Sequence, residues 1–259
     1  MIVDGADILL LPPGVEVRGL ELHDRVRAAS WPLNESGAFV LGQSGAALGE
    51  IAARLAESHA LDPAEARRDV AAFAEALNDR LLLNVRLRRR QSLARLALRL
   101  AVLGIAPSAP ARRLHVDSRS GLRAAATTAR GLAGRAGRWA AAAGALGLPL
   151  GAAPALALAA GVGAALLLHE AAHAAALRGV PCALVLQRGR TAILHPPLER
   201  RRDAVALAGP AFTVAVGALA LAAANVFACD ALVLTAAPLG ANALGLTVAT
   251  SDGRSACGL

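Results

Sequence analysis

Aromatic residues are nearly missing from this chain: four Phe, two Trp and no Tyr among 259 residues. Lysine is missing altogether, so every basic side chain is arginine. Without stacking aromatics among them, the Arg runs do not read as a nucleic-acid surface, and no nucleic-acid partner is expected. The three cysteines, Cys182, Cys229 and Cys257, show no CxxC spacing, which excludes a disulfide framework and a structural zinc cluster. The N-terminus lacks a basic segment followed by an apolar core, so no secretory signal is expected there. Charge is also missing from long stretches, above all from Trp139 to Leu168.

What remains is a chain that is 56% hydrophobic with a net charge of +8 and a mean hydropathy of +0.49, well above a typical soluble protein. Membrane helices built from so few aromatics must consist mainly of Ala, Leu and Val. The Arg clusters flanking the apolar runs fit the positive-inside rule, with membrane lipids as partners.

At the end of the first charge-free run stands His169-Glu170-Ala171-Ala172-His173. On a helix, positions i and i+4 share a face, so both imidazoles can reach one metal ion, and the intervening Glu can act as general base for a bound water. The same five-residue pattern in a polar helix is often an accident. Here Leu166-Leu167-Leu168 precede it and Ala174-Ala175-Ala176 follow, and three titratable groups in so apolar a helix need partners. A Zn2+ ion supplies them at once.

Composition divides the chain into residues 1–85, a small α+β domain; residues 86–138, an Arg-rich juxtamembrane linker; and residues 139–259, a membrane domain. In the first part, Val15–Leu20 and Arg25–Ala28 alternate like strands. Ser44 is expected to cap a helix containing Leu48, Ile51 and Leu55, and Asp62-Pro63 to open a second helix through Val70, Phe73 and Leu77. In the linker, Ser92–Ile105 suggests an amphipathic helix on anionic lipid. The charge-free run, together with His169–His173 and its continuation to Leu177, has about 39 residues, near twice the ~20 of one span, and Leu148–Pro154 breaks it. Two helices are therefore expected there, then a hairpin around Gln187–Arg190, then spans over Ala204–Cys229 and Ala231–Ser251.

With both Arg-rich regions in the cytosol, the second span runs toward the cytosol and carries His169 and His173 in its cytosolic half. The fourth ends on the same side at Asp252. That makes Asp252 the leading candidate for a third metal ligand. Glu199 and Asp203 neighbour arginines as loop charges, Asp230 lies at the opposite face, and His195 belongs to the hairpin.

Residues 139–259 resemble the site-2 protease family of intramembrane zinc metalloproteases. The resemblance is carried by His169–His173 in an apolar helix, the following hairpin, Ala208-Gly209-Pro210, and the segment from Asn242 to Asp252-Gly253. It implies His169, His173 and Asp252 as zinc ligands, Glu170 as catalytic base and Asn242 as a substrate or oxyanion contact. Residues 1–85 resemble the PqqD-like family through the strand pair, Trp31-Pro32-Leu33-Asn34-Glu35-Ser36-Gly37-Ala38, Ile51-Ala52 and Asp69-Val70. This implies a winged-helix-like unit of three strands and three helices that binds the leader of a ribosomal precursor peptide as an added strand, along Val26, Ala28, Ser30 and Trp31.

The expected whole is a winged-helix-like domain in the cytosol followed by about four transmembrane helices with a cytosolic β-hairpin. The function expected of it is zinc-dependent cleavage of a leader-bearing precursor at the membrane. The alternative is a non-proteolytic membrane scaffold that recruits the precursor for modifying enzymes or an exporter.

Overall fold

Short alternating segments separated by glycine or by tight polar turns open the chain. In the computed structural model, which describes residues 5–87, 110–187, 190–198 and 200–241, they form β1 (Ile8–Leu10), β2 (Val15–Arg18), β3 (Glu21–Asp24) and β4 (Ala29–Pro32). Strands β2, β3 and β4 make an antiparallel sheet in that order, with Val17 opposite Leu22 and Leu22 opposite Trp31. The strand expected at Arg25–Ala28 is instead the turn between β3 and β4. Asp24 Oδ1 accepts the N–H groups of Val26 (2.9 Å) and Arg27 (3.3 Å), and Ala28 takes a left-handed φ of 52°. A local side-chain bond of this kind offers the backbone a turn in place of a ladder.

Three helices follow: α1 (Glu35–Gly42), α2 (Leu48–His59) and α3 (Pro63–Asp79). Asn34 caps α1, its side chain accepting from Gly37 N, so the segment Ala38–Leu41 is helical. Asp62 caps α3 by accepting from Ala64 N and Glu65 N, with Pro63 at the first helical position, as the sequence predicts. Ser44 does not cap α2, whose cap residue is Ala47 with no side-chain bond; the Ser44 hydroxyl accepts the Leu11 N–H at 2.9 Å instead. Strand β5 (Asn84–Arg86) returns to pair with β1. Leu9, Leu22, Leu41, Ile51, Val70 and Leu83 are fully or almost fully buried in the shared core.

Strand β6 (Arg112–His115) lies inside the segment expected to be linker. It pairs with β7 (Ala183–Gln187), which pairs with β8 (Arg190–Leu194), giving a three-stranded antiparallel sheet where a two-stranded hairpin is expected. The described residues fall into two compact units. One joins residues up to His115 with Ala183–His195; the other joins Val116–Cys182 with the chain from Pro196 onward.

The second unit is helical: α4 (Gly121–Gly147), a short 3-10 turn at Leu148–Leu150, α5 (Ala152–Ala176), α6 (Arg202–Phe227) and α7 (Asp230–Ala241). The break at Leu148–Pro154 is where the sequence puts it. Helix α4, however, starts at Gly121, well before the charge-free run, and Ser120 caps it by accepting from Arg123 N. Its buried face is Ala124, Thr128, Leu132 and Ala136, a spacing of four that also extends into the Arg-rich part. Helices α5 and α6 are each long and apolar enough to cross a membrane, and α7 is a shorter apolar helix as far as Ala241. Small residues bring these helices close, as is usual where lipid offers no hydrophobic drive. A methyl on Gly147 would sit 2.9 Å from Ala155 Cα, and one on Gly161 would sit 2.5 Å from the Thr235 carbonyl. The segments at Ser92–Ile105 and beyond Ala241 lie outside the described residues.

Candidate metal centre and peptide-binding edge

Helix α5 carries His169, Glu170 and His173 on adjoining turns, with Glu170 and His173 buried. The two imidazoles converge: Nε2 of His169 and Nε2 of His173 are 3.1 Å apart, with ring centroids at 4.7 Å. Helix α6 fixes the second ring, because His173 Nδ1 lies 2.6 Å from the Val205 carbonyl oxygen. A carbonyl can only accept, so Nδ1 carries the hydrogen, and in the neutral imidazole Nε2 is then the nitrogen with the lone pair. That is how a metal-ligating histidine is ordinarily oriented.

Room for the ring comes from Gly209 on α6. A methyl there would overlap His173 Nε2, and would lie 2.7 Å from His173 Cδ2 and 2.9 Å from the His169 carbonyl oxygen. Ala208-Gly209-Pro210 lies inside α6 rather than at its start, and Gly209 and Pro210 are buried. Just beyond them, the hydroxyl of Thr213 donates to the carbonyls of Gly209 and Pro210, both at 3.0 Å. From α4, the Arg135 guanidinium interacts electrostatically with the Glu170 carboxylate.

Two tetrahedral zinc ligands with bonds of ~2.0–2.1 Å stand about 3.3 Å apart, so the spacing of the paired nitrogens, and the orientation of His173, fit a zinc ion. Among the described residues no group of three or more His, Cys, Asp or Glu side chains forms a metal-holding cluster. Asp252 and Asn242 lie outside the described residues. Of the rivals, Asp203 is in the first turn of α6 and Asp230 is the first residue of α7.

In the other unit, β4 pairs with β3 and is an edge of its sheet among the described residues. Ser30 and Trp31 are on this edge strand. Ser30 is exposed and its hydroxyl is 2.8 Å from His23 Nδ1 across the ladder, while Trp31 packs on the core. Val26 and Ala28 are not on the strand: Val26 is buried in the preceding turn, and Ala28 supplies that turn's left-handed residue. Beside the end of β4, a cleft of about 340 Å³ opens between α1 and α3, lined by Asn34, Gly37, Val40, Asp69, Val70 and Phe73.

Sequence reasoning named Ala208-Gly209-Pro210 as a motif but not the contact Gly209 makes, and it missed the Val205 carbonyl, since a backbone acceptor leaves no signal in side-chain patterns. It also missed Asp24 and Arg113, which form a fully buried ion pair with Arg113 Nη1 and Nη2 each 2.7 Å from one carboxylate oxygen of Asp24. Arg113 stands in the Arg-rich segment read as a juxtamembrane linker, where nothing singled it out.

No curated protein and no solved structure matches the chain. The family model of coenzyme PQQ synthesis protein D (PqqD) matches residues 22–83, which take in β3 from Leu22, β4 and all three helices of the first unit, so the chain carries a PqqD-like domain at these residues.

Proposed function

We propose that the chain is a membrane-embedded zinc metalloprotease of the site-2 type, whose PqqD-like domain captures the leader of a ribosomally made precursor peptide. One observation above all supports the catalytic half: the Nε2 atoms of His169 and His173 meet at 3.1 Å in an apolar helix, with His173 oriented by the Val205 carbonyl. His169 and His173 would hold the zinc, with Asp252 as the third ligand. When bound, zinc would polarise the scissile carbonyl and lower the pKa of water toward ~7. Glu170 takes the proton from the attacking water and returns it to the amine that leaves. Arg135 on α4 would add a favourable charge interaction with Glu170. Asn242 would contact the substrate or its oxyanion.

The PqqD match supports the recognition half. Ala29–Trp31 of β4 would receive the leader as an added strand, with Pro32 ending the ladder because it has no N–H to donate. The neighbouring cleft would take an apolar leader side chain. The outer edge of β8 would hold the segment to be cut in extended form. Helices α5 and α6 would span the membrane as part of a multi-pass domain, with the Arg-rich flanks and the PqqD-like domain in the cytosol.

A scaffold that passes the precursor to modifying enzymes or an exporter would use the same PqqD-like domain, and one experiment separates the two readings. Glu170→Gln is expected to retain zinc and to lose cleavage of a short precursor encoded beside the gene, read by mass spectrometry. Zinc-free wild-type protein that leaves the precursor intact would favour the scaffold. Cleavage by the Gln variant at the wild-type rate would remove Glu170 from the mechanism.

A further inference from the structure

The strand that precedes the helix pair α4–α5 and the strand that follows it are neighbours in one sheet. Strand β6 ends at His115, β7 begins at Ala183, and they pair with Arg113 opposite Val185 and Leu114 opposite Leu184. That sheet belongs to the same compact unit as the PqqD-like domain, and the attachment is specific.

Arg113 reaches from β6 to Asp24 at the end of β3, with two bonds of 2.7 Å and no exposure on either side chain. Two asparagines bracket the same segment from the domain side. Asn84 donates to the Arg113 carbonyl and accepts its N–H, both at 2.8 Å, while Asn78 donates to the Ala111 carbonyl and accepts its N–H, both at 2.9 Å. Each side-chain amide thus satisfies both backbone groups of one residue, as a partner strand would.

A buried ion pair adds little stability over an apolar pair of the same volume, because desolvation offsets the attraction. Its best-attested role is to impose one arrangement among several. A one-residue slip of β6 would send its side chains to the opposite faces and take Arg113 away from Asp24, which would keep only Arg27, at 3.6 Å, and the turn N–H groups. The same Asp24 carboxylate also builds the turn that delivers the chain into β4.

We propose that Asp24 and Arg113 are a latch that holds the β7–β8 hairpin on the PqqD-like domain, so that the leader-binding edge and the hairpin edge engage one peptide at a fixed spacing. Its catalytic consequence rests on the protease reading above; its structural core does not.

The test uses the full-length chain in detergent and hydrogen exchange read by mass spectrometry. In Arg113→Met, exchange over residues 111–115 and 183–194 is expected to quicken at least tenfold, while peptides from α2 and α3 keep their wild-type protection. Arg113→Lys retains charge but loses the fork, and is expected to fall between the two. If Arg113→Met does not fold, Arg113→Lys and Asn84→Ala decide by the same pattern. Unchanged protection of 183–194, or equal loosening of α2 and α3, overturns the latch.

A second arm lengthens the spacer between leader and core of the precursor one residue at a time. Wild-type kcat/KM is expected to fall stepwise, and that dependence to flatten in Arg113→Lys. Persistent steps in a variant with a loosened hairpin would overturn the spacing role. A precursor left uncut by the wild type would defeat the protease reading while leaving the exchange result standing.

Discussion

Gly209→Ala adds one methyl group at the most crowded point of the candidate metal centre. It would overlap His173 Nε2 and approach His173 Cδ2 at 2.7 Å and the His169 carbonyl at 2.9 Å. Carbon atoms prefer about 3.5–4.0 Å, so close to 1 Å of movement is required. Two routes supply it. Helices α5 and α6 can part, which for overpacking of this kind costs about 1–3 kcal/mol. Alternatively the His173 ring can turn away, which breaks its 2.6 Å bond to the Val205 carbonyl and spoils the convergence with His169. Losing an orienting partner of a ligating histidine typically weakens metal binding ~10–100-fold. The expected result is zinc affinity reduced by that factor, measured as metal per chain against a graded competing chelator, with a lowered Tm. The control is Gly137→Ala on α4, where a methyl meets nothing within 4 Å and helix propensity should gain about 0.5–1 kcal/mol. If Gly209→Ala binds zinc as tightly as the wild type and melts at the same temperature, the packing argument for this centre fails.

The pH dependence of the latch has a definite sign. Burial alone would raise the Asp24 carboxyl, but the Arg113 guanidinium, with the Arg27 and Val26 N–H groups, outweighs it and holds the carboxyl below its ordinary value of 3.8. Stability from the pair is therefore complete above that value and lost as pH falls through the lower folded-state value. Protection of Ala183–Gln187 should stay flat from pH 7 to about pH 4.5 and fall below pH 4. A fall centred above pH 5 would assign the effect to another group. Burial pushes the Cys182 thiol up to about 11, so at pH 8 roughly one thiol in a thousand is thiolate. Iodoacetamide should label it far more slowly than half-buried Cys229, with a rate that rises about tenfold per pH unit up to pH 10; equal rates at pH 8 would contradict this burial.

Periodic features were readable without coordinates, and features made by distant partners were not. Asp62-Pro63 and the break before Pro154 act within one or two turns of chain, so local chemistry sufficed. The spacing of His169 and His173 on one helix face likewise implied their convergence, which the structure gives at 3.1 Å. Arg25–Ala28 misled because its alternation is that of a strand, while the Asp24 side chain and a left-handed Ala28 make it a turn. Strand β3 was hidden because Glu21-Leu22-His23-Asp24 offers a single apolar residue, too few for an alternation to show. The Asp24–Arg113 pair spans 89 positions, and nothing in a run of arginines marks which one will be buried.

This pairing changes how the chain divides. A cut near residue 85 would separate β6 from the PqqD-like domain, leaving buried Asp24 without the two bonds from Arg113 and with only the longer 3.6 Å contact to Arg27, and Asn78 without its backbone partner at Ala111. Removing one member of a buried ion pair costs about 3–5 kcal/mol, a large share of the 5–15 kcal/mol that holds a domain together. Deletion of residues 1–85 is thus expected to do more than raise KM for leader-bearing peptides. It would also strip the hairpin sheet of its support and lower turnover of leaderless ones. The helix pair α4–α5 is an insertion between two neighbouring strands of the recognition unit, since β6 enters it and β7 leaves it. In such a topology, the PqqD-like unit and the helical unit cannot be exchanged as separate modules without redesigning the sheet whose strands lead into and out of the helix pair.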